Sequence, residues 1–185
     1  MNKRTKNMVG IALLTAVVVV LQLVFGNVTI AGTPINPVLV PVVIGAALYG
    51  WAAGAWLGLV SGAAILLTGA AAWFMTLHFA GTVITVLAKG MLSGLAAGLV
   101  YKLIQTKSKT LAVYVAAAVC PLVNTGIFLA GCGLFFLDSL KLSAGGVNVW
   151  TFILTAFVGT NILVEMGINM ALSPVITRLI EIEKK

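Results

Sequence analysis

The sequence predicts an all-α integral membrane protein: a bundle of six transmembrane helices forming one domain over residues 1–185, with a pocket open to the outer side. Three observations predict it. Of the 185 residues, 61% are hydrophobic and only 8% are charged, against about 25% charged in a soluble domain. So little polar surface cannot clothe a water-soluble globule. The apolar residues fall into six runs, at about 8–26, 36–50, 52–71, 79–104, 110–137 and 149–176, against roughly 20 residues needed to cross hydrocarbon. The basic residues cluster between the runs. Lys3, Arg4 and Lys6 precede the first, Lys102, Lys107 and Lys109 flank the break after the fourth, and Arg178, Lys184 and Lys185 close the chain.

These nine of the 11 Lys and Arg residues fall on one side if the N-terminus is cytoplasmic and the chain crosses six times. The opposite breaks, near 27–35, 72–78 and 138–148, then hold only Lys141 among basic residues. That is the distribution of basic flanks on the cytoplasmic side, where they also meet anionic lipid. Five crossings would strand one terminal cluster outside.

The first run follows a charged start, as a signal peptide would, but Val9–Phe25 is long enough to span and further spans follow. It is expected to stay as an uncleaved helix. Ala12 and Ala16, four residues apart, share a face on which another backbone can come close. The second run opens as "TPINPVLVPVVIGAALYG", residues 33–50. Pro34 and Pro37 favour extended backbone before them. Pro41 suits a first helical turn or a bend. Irregular backbone at membrane depth needs protein or water beside it, so this stretch is expected at the rim of an outward-facing pocket.

Gly54, Gly58 and Gly62 in the third run, and Gly90, Gly94 and Gly98 in the fourth, repeat every four positions. Such stripes let helices pack closely inside a bundle. The fifth run contains Pro121, expected to kink it just before Asn124. Cys120 and Cys132 lie twelve residues apart on that run, about 18 Å along a helix, and cannot bridge. Trp73 and Trp150 belong at the outer interface, and Trp51 and Trp56 at the inner one.

Ionisable groups at membrane depth are costly and point to function. At such depth the sequence has two, Lys89 and Glu165. At 1.5 Å per residue they lie ~15 Å and ~22 Å from the outer ends of their runs. Thr82, Thr85, Lys89 and Ser93 share one helix face, as do Cys120, Asn124, Phe128 and Cys132, and Asn161, Glu165 and Asn169. Three polar stripes at overlapping depths are expected to surround one solute. The candidate binding residues are Lys89, Asn124, Asn161, Glu165, Thr82, Thr85 and Phe128. The competing reading is a membrane scaffold in which Lys89 and Glu165 neutralise each other and the Asn residues join helices.

Other classes are disfavoured. The basic residues are not interleaved with aromatic platforms, so no nucleic-acid partner is expected. One histidine and two isolated thiols make no metal cluster, and no cofactor motif is present. No nucleophile stands with a histidine base, His78 being expected at the outer interface. No paired catalytic carboxylates and no phosphate-binding loop followed by Lys-Ser/Thr occur, so the chain is not an enzyme and cannot drive transport with ATP itself.

The charged start followed by "IALLTAVVVVLQLV", then "PVLVPVVIGAALYGWAAGAWLGLVSG", "GTVITVLAKGMLSGLAAGLVYKL" and "AAAVCPLVNTGIFLAGCGLFF", resemble in order and spacing the S components of energy-coupling factor (ECF) vitamin transporters. The resemblance covers nearly the whole chain. It implies a subunit of the bacterial cell membrane that binds a vitamin or related micronutrient from outside. It implies docking on a transmembrane T subunit that carries two cytoplasmic ATPase subunits. The family's alanine–three residues–alanine docking signature matches Ala12 to Ala16. Its pocket, built from the first outer loop and the fourth to sixth helices, coincides with the polar stripes. The resemblance does not name the substrate. Lys89 suits a substrate carboxylate or phosphate, and Glu165 suits orienting Lys89 or holding a substrate hydroxyl or amine; a pantothenate-like carboxylated vitamin is one candidate.

Overall fold

The chain begins with a long helix because nothing in residues 3–25 interrupts one. In the computed structural model, which describes residues 2–26, 29–30, 33–34 and 37–183, α1 covers Lys3–Phe25. Two short antiparallel strands follow, β1 (Thr29–Ile30) and β2 (Thr33–Pro34), paired Thr29 to Pro34 and Ile30 to Thr33. The extended backbone expected at Pro34 is present. Residues 27–28, 31–32 and 35–36, which complete the expected pocket rim, lie outside the described residues.

Helix α2 runs from Leu39 to Tyr49, which puts Pro41 in its first turn. The missing N–H of proline costs nothing there, because the first turn has no partner for it. Gly50, at φ 95°, ends α2 and opens α3 (Trp51–Leu67). Only glycine adopts that conformation freely, so the sharp α2–α3 corner depends on it.

A short helix, α4 (Ala72–Leu77), lies where the sequence predicts an outer loop. His78 then turns the chain into α5 (Phe79–Ile104): its Nδ1 accepts the N–H of Gly81 at 2.9 Å. Its ring also stacks on Phe135, 5.9 Å between centroids. The expected interfacial histidine is thus exposed and serves as a helix cap. Ser108 caps α6 (Lys109–Gly131), which runs on through Pro121. A π-helical turn, Cys132–Phe136, joins α6 to α7 (Leu137–Ser143). Helix α7 takes up half of the break expected at 138–148. After the Gly145–Gly146 turn, α8 (Val149–Ile153) passes through a second π-helical turn (Leu154–Val158) into α9 (Gly159–Glu183).

Among the described residues four helical stretches are long and apolar enough to cross a membrane: Arg4–Phe25, Phe79–Ile104, Lys109–Ser143 and Ile162–Ile180. Helices α2 and α3 are apolar but shorter, with 11 and 17 residues, or about 16 and 25 Å. Prolines delay the start of α2 and Gly50 truncates its end. The chain is a multi-pass membrane protein whose regular elements, among the described residues, are all helical but for the β1–β2 pair.

Helix α5 sits centrally, packed on α3 along one side and α6 along the other. The α3–α5 contact is a glycine-on-glycine zipper. A Cβ on Gly58 would strike the carbonyl of Gly90, and one on Gly90 the carbonyl of Gly58. Gly54 and Gly94 oppose each other in the same reciprocal way, and Gly62 faces the Val86 carbonyl. The expectation of internal glycine packing therefore holds, and the two stripes are partners. Helix α2 is buried among α1, α3, α5, α6 and α9. Val38, Val42, Val43 and Ala46 meet Val18, Leu57, Ala97, Val113 and Ile176 there to form the main core. A second cluster around Cys132, Phe136, Leu140 and Ile153 forms at the bundle end carrying α4 and α7. It supports the cavity described next.

Candidate functional site

The three-and-four spacing of Thr82, Thr85 and Lys89 puts them on one face of α5. That face looks into a cavity holding about 400 Å³ of space, open mouth included. Helix α5 contributes Thr82, Thr85, Val86 and Lys89. The opposite wall is Phe128 of α6 and Phe136 of the π-helical turn, and Ile65, Ala70, Ala71 and Phe74 close the side toward α3 and α4. Three phenylalanines form a box: the ring of Phe74 meets Phe128 edge-on at 5.4 Å and 88°, and Phe136 at 5.3 Å and 66°.

Within this apolar wall the polar groups are few. The Thr82 hydroxyl donates to the His78 carbonyl at 2.9 Å. Thr85 is buried, and its Oγ1 has no hydrogen-bond partner among the described residues. Lys89 is half-buried, with Nζ 5.4 Å from the centre of the Phe128 ring. Among the described residues its ammonium meets no hydrogen-bond acceptor and no ion-pair partner. A cation–π contact contributes about 0.5–2 kcal/mol. Taking an ammonium out of water costs several kcal/mol. The ring contact alone does not offset that cost, so the ammonium has capacity left for an anion or for water.

Glu165 of α9 is buried, 6% exposed, and does not line the cavity. It is near enough for its charge to act on Lys89, yet no ion pair joins the two. Its backbone carbonyl accepts from Asn169 Nδ2 at 2.8 Å, and the carbonyl of Asn169 accepts from Ser173 Oγ at 2.9 Å. Among the described residues Asn169 Oδ1 is left buried without a partner, as is Oε1 of Gln22 on α1.

Of the seven predicted binding residues, the cavity brings together Thr82, Thr85, Lys89 and Phe128. Asn124 is half-buried one turn before Phe128 and does not line it. The Asn161 side chain lies outside the described residues. Ala12 and Ala16 are exposed on α1. The sequence reading missed Phe74, because "AWFMTLH" reads as a loop between longer apolar runs. It also missed Phe136, although 128, 132 and 136 continue the same four-residue stripe.

In comparisons with known proteins, a family described as ECF transporter, substrate-specific component, matches residues 6–177. Neither the curated proteins nor the solved structures give a match.

Proposed function

Because the chain belongs to the family of ECF transporter substrate-specific components, we propose that it captures a water-soluble vitamin or related micronutrient outside a bacterial cell for ATP-driven uptake. Family membership implies a small-molecule substrate and association with the T and ATPase modules; the family is not a catalytic one. The observation that carries the proposal is Lys89, an ammonium with no acceptor among the described residues, on the wall of a cavity. A carboxylated vitamin, such as the pantothenate-like candidate raised by the sequence, supplies the missing charge and lone pairs. Thr82, Thr85 and Phe128 contact the solute. Asn124, Asn161 and Glu165 act from the neighbouring helix turns. The scaffold reading needs Lys89 and Glu165 to neutralise each other, and no ion pair between them supports it.

Both termini are cytoplasmic in this proposal, with six crossings that include the shorter α2 and α3. The cavity then opens outward, since it lies at the end of the bundle carrying α4 and α7. Cysteine labels at Ser108 and at Lys184 should react only after permeabilisation, and a label at Ser143 in intact cells. Reaction at Ser108 in intact cells would overturn this orientation.

The exposed Ala12–Ala16 face of α1 docks on the T subunit, which passes the work of the two cytoplasmic ATPases to this chain. Leucine at either position projects into the approaching helix. We expect Ala12→Leu and Ala16→Leu to abolish at least nine-tenths of uptake (roughly 1.4 kcal/mol of coupling). Ligand affinity of the isolated subunit should be unchanged. Equal loss of binding and uptake would assign the alanines to the internal fold and remove the docking claim.

A further inference from the structure

We infer, resting on the substrate-capture reading above, that the cavity selects a monoanion of the carboxylate class whose body is predominantly apolar or aromatic. Lys89 holds the charged end, and the Phe74–Phe128–Phe136 box takes the body.

The charge follows from the wall. Among the described residues the lining carries one cation and no carboxylate. Glu165 stands behind it without an ion-pair contact. An amine or other cation entering the cavity meets the field of Lys89 with no anion at the wall to receive it. A dianionic phosphate brings two charges to one ammonium, so one stays unpaired in a desolvated place, which is costly. A monocarboxylate matches the single charge. Its oxygens also offer several acceptor sites to an ammonium with three donors.

Thr85 adds no second anchor. It is 3% exposed, and its Oγ1 is shut off from the cavity and packs toward Gly131 of α6. The Lys89 ammonium alone therefore meets the charged end.

The body follows from what remains. The Thr82 proton is committed to the His78 carbonyl. The rest of the lining is aliphatic or aromatic. A body rich in hydroxyls and amides, such as that of pantothenate, would bury most of them without partners against this wall. An apolar chain or ring buries none. The inference thus narrows the carboxylated class toward apolar bodies and away from pantothenate itself.

The test is a headgroup series on one body, measured by calorimetry and thermal stabilisation of the purified full chain in detergent. The probes are 3-phenylpropionate, 3-phenylpropionamide, 3-phenylpropylamine and 2-phenylethylphosphonate, with pantothenate as the polar-bodied carboxylate. The same preparation is denatured and its small-molecule extract identified by mass spectrometry. We expect the carboxylate to bind at least about 30-fold more tightly than the amide. The amine should not bind, and the phosphonate and pantothenate should be weaker than phenylpropionate. Any extracted ligand should be a monocarboxylate with an apolar body. An amide, amine, phosphonate or pantothenate that binds as well as phenylpropionate overturns the inference, as does a neutral, cationic or polyhydroxylated extracted ligand. In each of those outcomes substrate capture still stands. If no probe binds the folded chain and nothing is extracted, substrate capture falls and the inference falls with it.

Discussion

Gly58→Leu should leave no monodisperse protein after purification, and Gly58→Ala should melt well below the wild type. The glycine stripes of α3 and α5 face each other atom against atom. The added Cβ at Gly58 meets the main-chain carbonyl and carbon of Gly90, not the movable tip of a side chain. Relief requires the two helices to separate along their whole contact, because Gly54 against Gly94 and Gly62 against Val86 hold the same spacing. Overpacking a core commonly costs about 1–3 kcal/mol. A backbone obstacle on the central helix of the bundle is at the upper end of that range for alanine, and beyond it for leucine. Gly126→Ala is the control, since nothing lies within 4 Å of a Cβ there. Its loss of a mid-helix glycine should cost nothing. The comparison is a thermal melt of both alanine variants in one detergent. A Gly58→Ala protein that melts as high as Gly126→Ala would show that the α3–α5 approach does not hold the bundle together.

Much of this fold is written in local chemistry that a sequence reader can use. The Gly54–Gly58–Gly62 and Gly90–Gly94–Gly98 stripes announced close helix packing. Pro41 fitted a first turn, and Thr82, Thr85 and Lys89 announced a shared face. These features depend only on helical spacing and on what a proline or a glycine permits, so no knowledge of the tertiary structure was needed. Which stripe meets which was not legible. The pairing of Gly58 with Gly90 depends on the sharp corner at Gly50 and on how α2 is wrapped by its neighbours.

The site was legible on its polar side and illegible on its apolar side. A lysine in a hydrophobic run stands out. Phe74, Ile65 and Phe136 do not, because apolar residues are everywhere in a membrane protein and only the three-dimensional packing picks three of them out as a wall. The π-helical turn at Cys132–Phe136 has no simple sequence signature, yet it belongs to the segment that places Phe136 beside Phe128 and Phe74. Lys89 and Glu165 were expected either to pair with each other or to share the solute. Their lack of an ion pair follows from the position of Glu165 behind the cavity wall, which linear depth along each helix cannot reveal.

Loss of the Lys89 charge is the second large effect. The ammonium is the one charged group on the described cavity wall, and the proposed substrate carboxylate is desolvated when it meets that group. Truncating one partner of such a contact costs about 2–5 kcal/mol, which is roughly 30-fold or more in affinity at 1.4 kcal/mol per tenfold. Lys89→Met also leaves Glu165 buried without the nearby positive charge, so Lys89→Met/Glu165→Gln serves as the companion that separates misfolding from lost recognition. The deciding measurement is native mass spectrometry, followed by ligand titration, of the wild type and both variants purified in parallel without ATP. The account predicts one small-molecule adduct on the wild-type chain. It predicts none on either folded variant, with affinity for the extracted ligand at least about 30-fold weaker. A folded Lys89→Met chain that keeps the adduct and the native affinity would contradict it, and would leave Lys89 as a structural charge rather than the substrate's anchor.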